Sequence, residues 1–131
     1  MKKYGLLALR IIIAVTLIQT LRFKLTAHPD SVYIFTKVGL EPIGRIGIGI
    51  IELIAGILLL INKRAWLGAA ITIGVISGAV IMHLTSLGIE INNDGGILFL
   101  TAVFILISSI VIFYTQRKSI PYINKKKEIK V

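Results

Sequence analysis

Four long apolar stretches restrict this sequence of 131 residues to a membrane-spanning fold. Two of them, at about 65–87 and 95–114, contain no Asp, Glu, Lys or Arg. A helix needs roughly 20 apolar residues to cross the hydrocarbon core of a bilayer. The other two stretches, at about 4–21 and 43–61, are of similar length but include ionisable residues. The pattern predicts an all-α fold, an integral membrane four-helix bundle with up-down-up-down topology.

The composition supports this class and excludes others. Hydrophobic residues make up 56% of the chain and charged residues 16%, too few charges to solvate the surface of a small soluble domain. The basic residues lie between apolar stretches and are not mixed with aromatic residues, so we expect no nucleic-acid partner. Because there is no cysteine, iron–sulfur clusters and thiolate chemistry are excluded, and we expect no metal and no covalent cofactor.

The Lys and Arg residues predict the orientation of the bundle. Ten of them would lie on one side of the bilayer and three on the other. Because basic loops are retained in the cytoplasm, both termini are predicted to be cytoplasmic. We expect a membrane domain at 1–116 and a basic cytoplasmic tail at 117–131. The ten residues are Lys2, Lys3, Lys63, Arg64, Arg117, Lys118, Lys125, Lys126, Lys127 and Lys130.

The outer loop at 22–42 is the longest predicted connection. Pro29 favours the first turn of a helix, and Gly39 favours its end. Apolar residues at helical spacing between them indicate that this short helix lies at the outer interface. We expect the first span to be retained, since Arg10 interrupts the apolar stretch that a signal peptide would need.

Glu52 lies near the middle of the second span, where ionisable groups cost about 2.5–3.5 kcal/mol each. Arg45, Gly49, Glu52 and Gly56 follow at spacings of four, three and four, so they share one helix face. We predict Gly49 and Gly56 to allow close helix packing. Glu52 is either a proton-exchanging residue or one partner of a structural ion pair.

Three further polar residues belong to the same hypothesis. Arg10 either pairs with Glu52, the interpretation we prefer, or extends to the cytoplasmic interface. Lys24 lies at the outer mouth of the bundle or is an interfacial anchor. His83 is a hydrogen-bonded core residue or a proton partner for a quinone oxygen. These side chains would form a polar column with Arg45 and Glu52.

Ala70, Gly74 and Gly78 repeat every four residues in the third span. Such a stripe of small residues is typical of close helix packing. The neighbour is either a helix of the same bundle or a helix of a second protomer, so a homo-oligomer is one of two expectations.

Several short motifs, in their order along the chain, resemble those of the DoxX family of small four-span bacterial membrane proteins. The resemblance covers roughly residues 5–115. The motifs are Leu9-Arg10-Ile11, Phe23-Lys24-Leu25, Val38-Gly39-Leu40-Glu41-Pro42, Ile51-Glu52-Leu53-Ile54-Ala55-Gly56 and Gly78-Ala79-Val80-Ile81-Met82-His83-Leu84.

The resemblance implies a redox-associated subunit in the bacterial cytoplasmic (inner) membrane. Relatives in this family include the quinone-reducing membrane part of a thiosulfate:quinone oxidoreductase, which implies a quinone and a partner oxidoreductase here. On this basis Arg10, Lys24, Glu52 and His83 carry over as polar positions of the family. In the resulting hypothesis Glu52 and His83 would exchange protons, and Lys24, Arg45 and Arg10 would bind the quinone. Two alternatives stay open: a non-catalytic scaffold or assembly protein, and a small proton-coupled transporter.

Overall fold

The computed structural model describes residues 3–26, 28–89, 91 and 95–117. These residues form α-helices and no strand, which confirms the predicted all-α class. The third span ends in one π-helical turn, His83–Leu87, which we call the π turn. The helices are α1 (Lys3–Leu25), α2 (Pro29–Lys37), α3 (Ile43–Leu60), α4 (Ala65–Met82) and α5 (Ile97–Thr115).

Four helices are long and apolar enough to cross a bilayer, as predicted. These spans are Tyr4–Arg22, Ile43–Leu60, Ala65–Thr85 and Ile97–Thr115. The chain is therefore a multi-pass membrane protein. The tail beyond Arg117, and residues 90 and 92–94 in the loop before α5, lie outside the described residues.

The four spans pack in the order α1, α3, α4, α5, and α1 and α5 meet over a smaller area. Neighbouring spans are antiparallel. The terminal end of the bundle holds the start of α1, the α3–α4 turn and the end of α5. The loop end holds the end of α1, all of α2, the start of α3 and the π turn.

Local sequence explains α2. His28 caps its start, since the ring Nδ1 accepts a hydrogen bond from the backbone N–H of Asp30 at 3.2 Å. Gly39 ends it at a φ of +78°, a conformation that favours glycine, and the Leu40 N–H donates to the Phe35 carbonyl at 2.8 Å. Since α2 contacts α1, α3 and the π turn, it lies across the loop end.

The core of the bundle is apolar, and so are its outer faces. Apolar outer faces are what a bilayer requires of its spans. Large side chains that point outward include Ile50, Ile57, Leu100, Phe104 and Ile107. Those that are fully buried include Ile13, Leu17, Leu59 and Ile112.

Glycines bring α1 and α4 close to α3. A methyl group at Gly49 would lie 3.2 Å from the Leu21 side chain, and one at Gly56 would lie 3.7 Å from the Ala14 carbonyl oxygen. These two positions therefore face α1 closely. Gly68, which sequence reasoning did not single out, is tighter still: a methyl group there would lie 2.8 Å from α3 backbone atoms.

The stripe of Ala70, Gly74 and Gly78 does not make a comparable approach. A methyl group at Gly74 or Gly78 would have no described atom within 4 Å. All three residues instead line a cavity that is partly open to the surface of the bundle. The close approach between α3 and α4 occurs at Gly68, about two turns from Gly74 and three from Gly78.

Candidate functional site

A cavity of about 710 Å³ occupies the loop end of the bundle. Residues from all five helices and from the π turn line it, and it reaches the middle of α4 and α5 at Ile71 and Ile105. Its walls are mostly apolar, with Leu17, Val75 and Met82 among the contributing side chains. Pockets for small organic ligands have this size and this mixture of apolar walls with a few polar groups.

An ion pair lies in the wall of the cavity. Lys24 Nζ, from the last turn of α1, is 3.0 Å from Glu52 Oε2, in the middle of α3. The Glu52 side chain is 5% exposed and the Lys24 side chain 17%. Among the described residues, Glu52 Oε2 accepts no aligned hydrogen bond, so the ion pair is its polar contact. A buried carboxylate therefore depends on a single cation and faces the cavity.

His83 is a further polar residue of the cavity, whose lining also includes Thr20, Asp30, Ser31 and Thr101. It opens the π turn and is 5% exposed. Its Nδ1 lies 3.0 Å from the Gly88 carbonyl oxygen, and because a carbonyl only accepts, Nδ1 donates this hydrogen bond. In the neutral ring, Nε2 then carries the lone pair and can accept a hydrogen bond. The ring also contacts Phe99, with centroids 5.6 Å apart.

The short helix α2 covers the cavity at the loop end. One of its faces carries Ser31, Ile34, Phe35 and Val38, and all four residues line the cavity. Ser31 is 6% exposed. The sequence did contain a signal for this face, because these residues are spaced at i, i+3, i+4 and i+7.

Arg45 lies at the same end but does not line the cavity. Its Nε donates to both carboxylate oxygens of Glu41, at 2.8 and 3.0 Å, and its Nη1 donates to the Lys24 backbone carbonyl. The sequence signal for the first contact was the i,i+4 spacing of Glu41 and Arg45. Arg45 thus ties the end of α1 to the start of α3 and positions Lys24.

Arg10 lies at the opposite end of the bundle. Its Nε donates to the Leu59 carbonyl at 2.7 Å, and its Nη1 donates to Asn62 Oδ1 at 3.0 Å. The predicted pairing of Arg10 with Glu52 is therefore wrong. The reason is the antiparallel register of α1 and α3, which places Arg10 opposite the last turn of α3 and Lys24 opposite Glu52.

The structure thus brings together Lys24, Glu52 and His83 and separates them from Arg10. A cation, a carboxylate and an imidazole acceptor in an apolar cavity can bind a neutral ring that carries oxygen atoms. They can also exchange protons with it. In the part of the chain that the structure describes, His, Asp and Glu side chains form no group of three that could hold a metal ion.

Comparison with known proteins gives one match. A family model described as DoxX matches residues 5–84. The match covers more than half of the chain and includes Lys24, Glu52 and His83, but not α5. No curated protein and no solved structure matches the sequence.

Proposed function

This chain belongs to the DoxX family, and from that premise we propose that it binds a quinone or quinol in the loop-end cavity and works with a partner oxidoreductase. One observation carries the proposal: an apolar cavity of about 710 Å³ joins the Lys24–Glu52 ion pair to His83. Apolar walls suit a quinone ring and its isoprenoid chain, and the three polar groups suit its oxygens.

Each polar residue has a role in this proposal. Lys24 Nζ stabilises negative charge on a ligand oxygen, because a cation in an apolar site interacts strongly with developing charge. His83 accepts a hydrogen bond from a hydroxyl at Nε2 while Nδ1 stays on the Gly88 carbonyl. Glu52, whose carboxylate is ion-paired with Lys24, exchanges a proton with the ligand. Arg45 acts through Lys24, as a positioning residue.

The partner supplies the electrons. A bound quinone supplies two-electron redox chemistry coupled to proton transfer. Because the chain has no cysteine for an iron–sulfur cluster or a dithiol relay, we place the electron donor in a partner oxidoreductase.

The proposal includes an orientation in the bacterial cytoplasmic membrane. The excess of Lys and Arg at the terminal end favours the cytoplasmic side for that end. The cavity, α2 and the π turn then face the outer side, where a periplasmic or membrane partner can approach them. Labelling of a Thr36→Cys variant with a cysteine-reactive reagent in intact cells tests this orientation, because α2 exposes Thr36 at the loop end.

A binding experiment tests the quinone proposal. The purified protein, in detergent free of quinone, is titrated with decylubiquinone and with a short-chain menaquinone analogue by calorimetry. We expect His83→Leu and Glu52→Gln each to weaken binding about tenfold, which corresponds to about 1.4 kcal/mol. Lys37→Gln is the matched control, because Lys37 lies at the same end, is exposed and does not line the cavity. A wild-type protein that binds neither quinone contradicts the proposal.

The partner is tested separately. Quinone reduction is compared in membranes that carry the wild type or the Glu52→Gln/His83→Ala double variant, after confirming equal amounts of protein. We expect a slower rate in the variant. An unchanged rate of quinone reduction, together with unchanged quinone binding, would contradict both the quinone site and the partner oxidoreductase.

A scaffold or assembly protein is the second candidate, and one observation favours it. The Lys24–Glu52 ion pair joins α1 to α3 and so contributes to helix register, whatever occupies the cavity. The scaffold hypothesis expects Glu52→Gln to lower thermal stability or recovery of a complex while quinone reduction in membranes stays unchanged.

A further inference from the structure

A second pocket, of about 420 Å³, lies at the terminal end of the bundle. It shares no lining residue with the loop-end cavity. The first turns of α1 and the α3–α4 turn form most of its wall. Its lining includes Leu6, Leu7, Arg10, Asn62, Lys63 and Gln116.

Arg10 lines this pocket, and one nitrogen of its guanidinium group has no hydrogen-bond partner among the described residues. Nε and Nη1 are hydrogen-bonded to the Leu59 carbonyl and to Asn62, but Nη2 is buried and has no hydrogen-bond partner among the described residues. The residue as a whole is 4% exposed. A buried guanidinium nitrogen without an acceptor is costly, and a bound anion would remove that cost.

The described part of the terminal end offers no acidic side chain to Arg10. The described Asp and Glu residues are Asp30, Glu41 and Glu52, and each lies in α2, before α3 or at the cavity. Lys63 instead adds a second cation to the pocket wall. The geometry therefore favours an external anion that interacts with two cations at once.

We propose that this pocket binds the phosphate group of an anionic phospholipid. Arg10 Nη2 and Lys63 donate to the phosphate oxygens, as basic pockets between membrane helices do for lipid headgroups. Leu6 and Leu7 provide an apolar wall for an acyl chain. Tyr4, which also lines the pocket, is of the residue type that is enriched at membrane interfaces. The site is independent of any ligand in the loop-end cavity.

The test measures lipid binding directly. The purified full chain, in a zwitterionic detergent, is titrated with dioleoylphosphatidylglycerol or dioleoylphosphatidylcholine, and bound lipid is counted by native mass spectrometry. We expect the wild type to retain phosphatidylglycerol in preference to phosphatidylcholine. Lys63→Gln should weaken phosphatidylglycerol binding about fivefold, the typical contribution of one cation near a membrane surface. Arg10→Lys, which keeps a donor for the Leu59 carbonyl, should weaken it further.

Arg64→Gln is the matched control. Arg64 adjoins Lys63 in the same turn, is exposed, and does not line the pocket. We expect its lipid binding to equal that of the wild type. An equal loss in Lys63→Gln and Arg64→Gln overturns the proposal, because it indicates surface attraction only. Wild-type phosphatidylglycerol binding in Arg10→Lys also overturns it, as does competition by inorganic phosphate at the same concentration as the lipid.

Discussion

At the loop end Lys24 and Glu52 face a cavity, whereas at the terminal end Arg10 is bonded to the last turn of α3. Arg10 uses two of its nitrogens to satisfy the Leu59 carbonyl and Asn62, in the region where a helix leaves its carbonyls without partners. Among the described residues, Glu52 has one cation and no aligned hydrogen bond to Oε2. The first arrangement closes a helix end, and the second keeps an ion-paired carboxylate in the wall of a cavity.

Packing differs between the same two regions. Toward the terminal end, Gly68 allows α4 to lie against the α3 backbone. Farther along α4, Gly74 and Gly78 have open space beside them and line the cavity. The same residue type thus permits close packing in one region and leaves room for a ligand in the other. The difference indicates that α4 packs tightly on α3 toward the terminal end and borders a hollow region, the loop-end cavity, farther along.

The largest expected effect on stability comes from breaking the Lys24–Glu52 ion pair at the loop end. Lys24→Met leaves the Glu52 carboxylate buried without its cation, and we expect the free energy of unfolding to fall by about 3–5 kcal/mol. Adding Glu52→Gln to Lys24→Met should recover much of this loss, because no buried charge is then left unpaired. Reversible unfolding in mixed micelles measures both. If the stability loss of the double variant equals the sum of the losses of the two single variants, Lys24 and Glu52 do not interact.

At the terminal end, Arg10→Leu removes the donors to the Leu59 carbonyl and Asn62. We expect a loss of about 1–3 kcal/mol in the free energy of unfolding, because buried acceptors lose their partners. Quinone binding should stay within twofold of the wild type, since Arg10 does not line the cavity. A strong loss of quinone affinity in a folded Arg10→Leu protein would contradict the separation of the two ends.

Gly68→Ala tests the tight packing of α4 on α3. The added methyl group would lie 2.8 Å from α3 backbone atoms, so the helices must move apart. We expect the free energy of unfolding to fall by about 1–3 kcal/mol, as overpacked cores typically show. Mixed-micelle unfolding measures this loss, and a protein as stable as the wild type would show that α4 can shift at little cost.

Gly74→Ala, the matched change in the hollow region, has the smallest expected effect. No described atom lies within 4 Å of the new methyl group, and alanine is the better helix former. We expect stability to rise by about 0.5–1 kcal/mol in the same unfolding assay. A loss of stability comparable to that of Gly68→Ala would show that something packs against this stripe, such as a second protomer.

Much of the fold was predictable because each span carries its own apolar signal. α2 was predictable as well, since Pro29 and Gly39 determine its ends locally. Lys24, Glu52 and His83 were also identifiable as residues, because ionisable groups are rare in apolar spans. The partners of these residues were harder to predict from sequence. Depth in the membrane alone suggested that Arg10 pairs with Glu52, whereas the register of α1 against α3 pairs Glu52 with Lys24.

Sequence alone determined that this chain crosses a bilayer four times and which side chains must be kept from lipid, because both depend on the cost of moving polar groups out of water. Only the tertiary structure decided that Ala70, Gly74 and Gly78 line a cavity, and that Arg10 and Glu52 lie in different sites. These features depend on helix register and spacing, which no single helix encodes by itself.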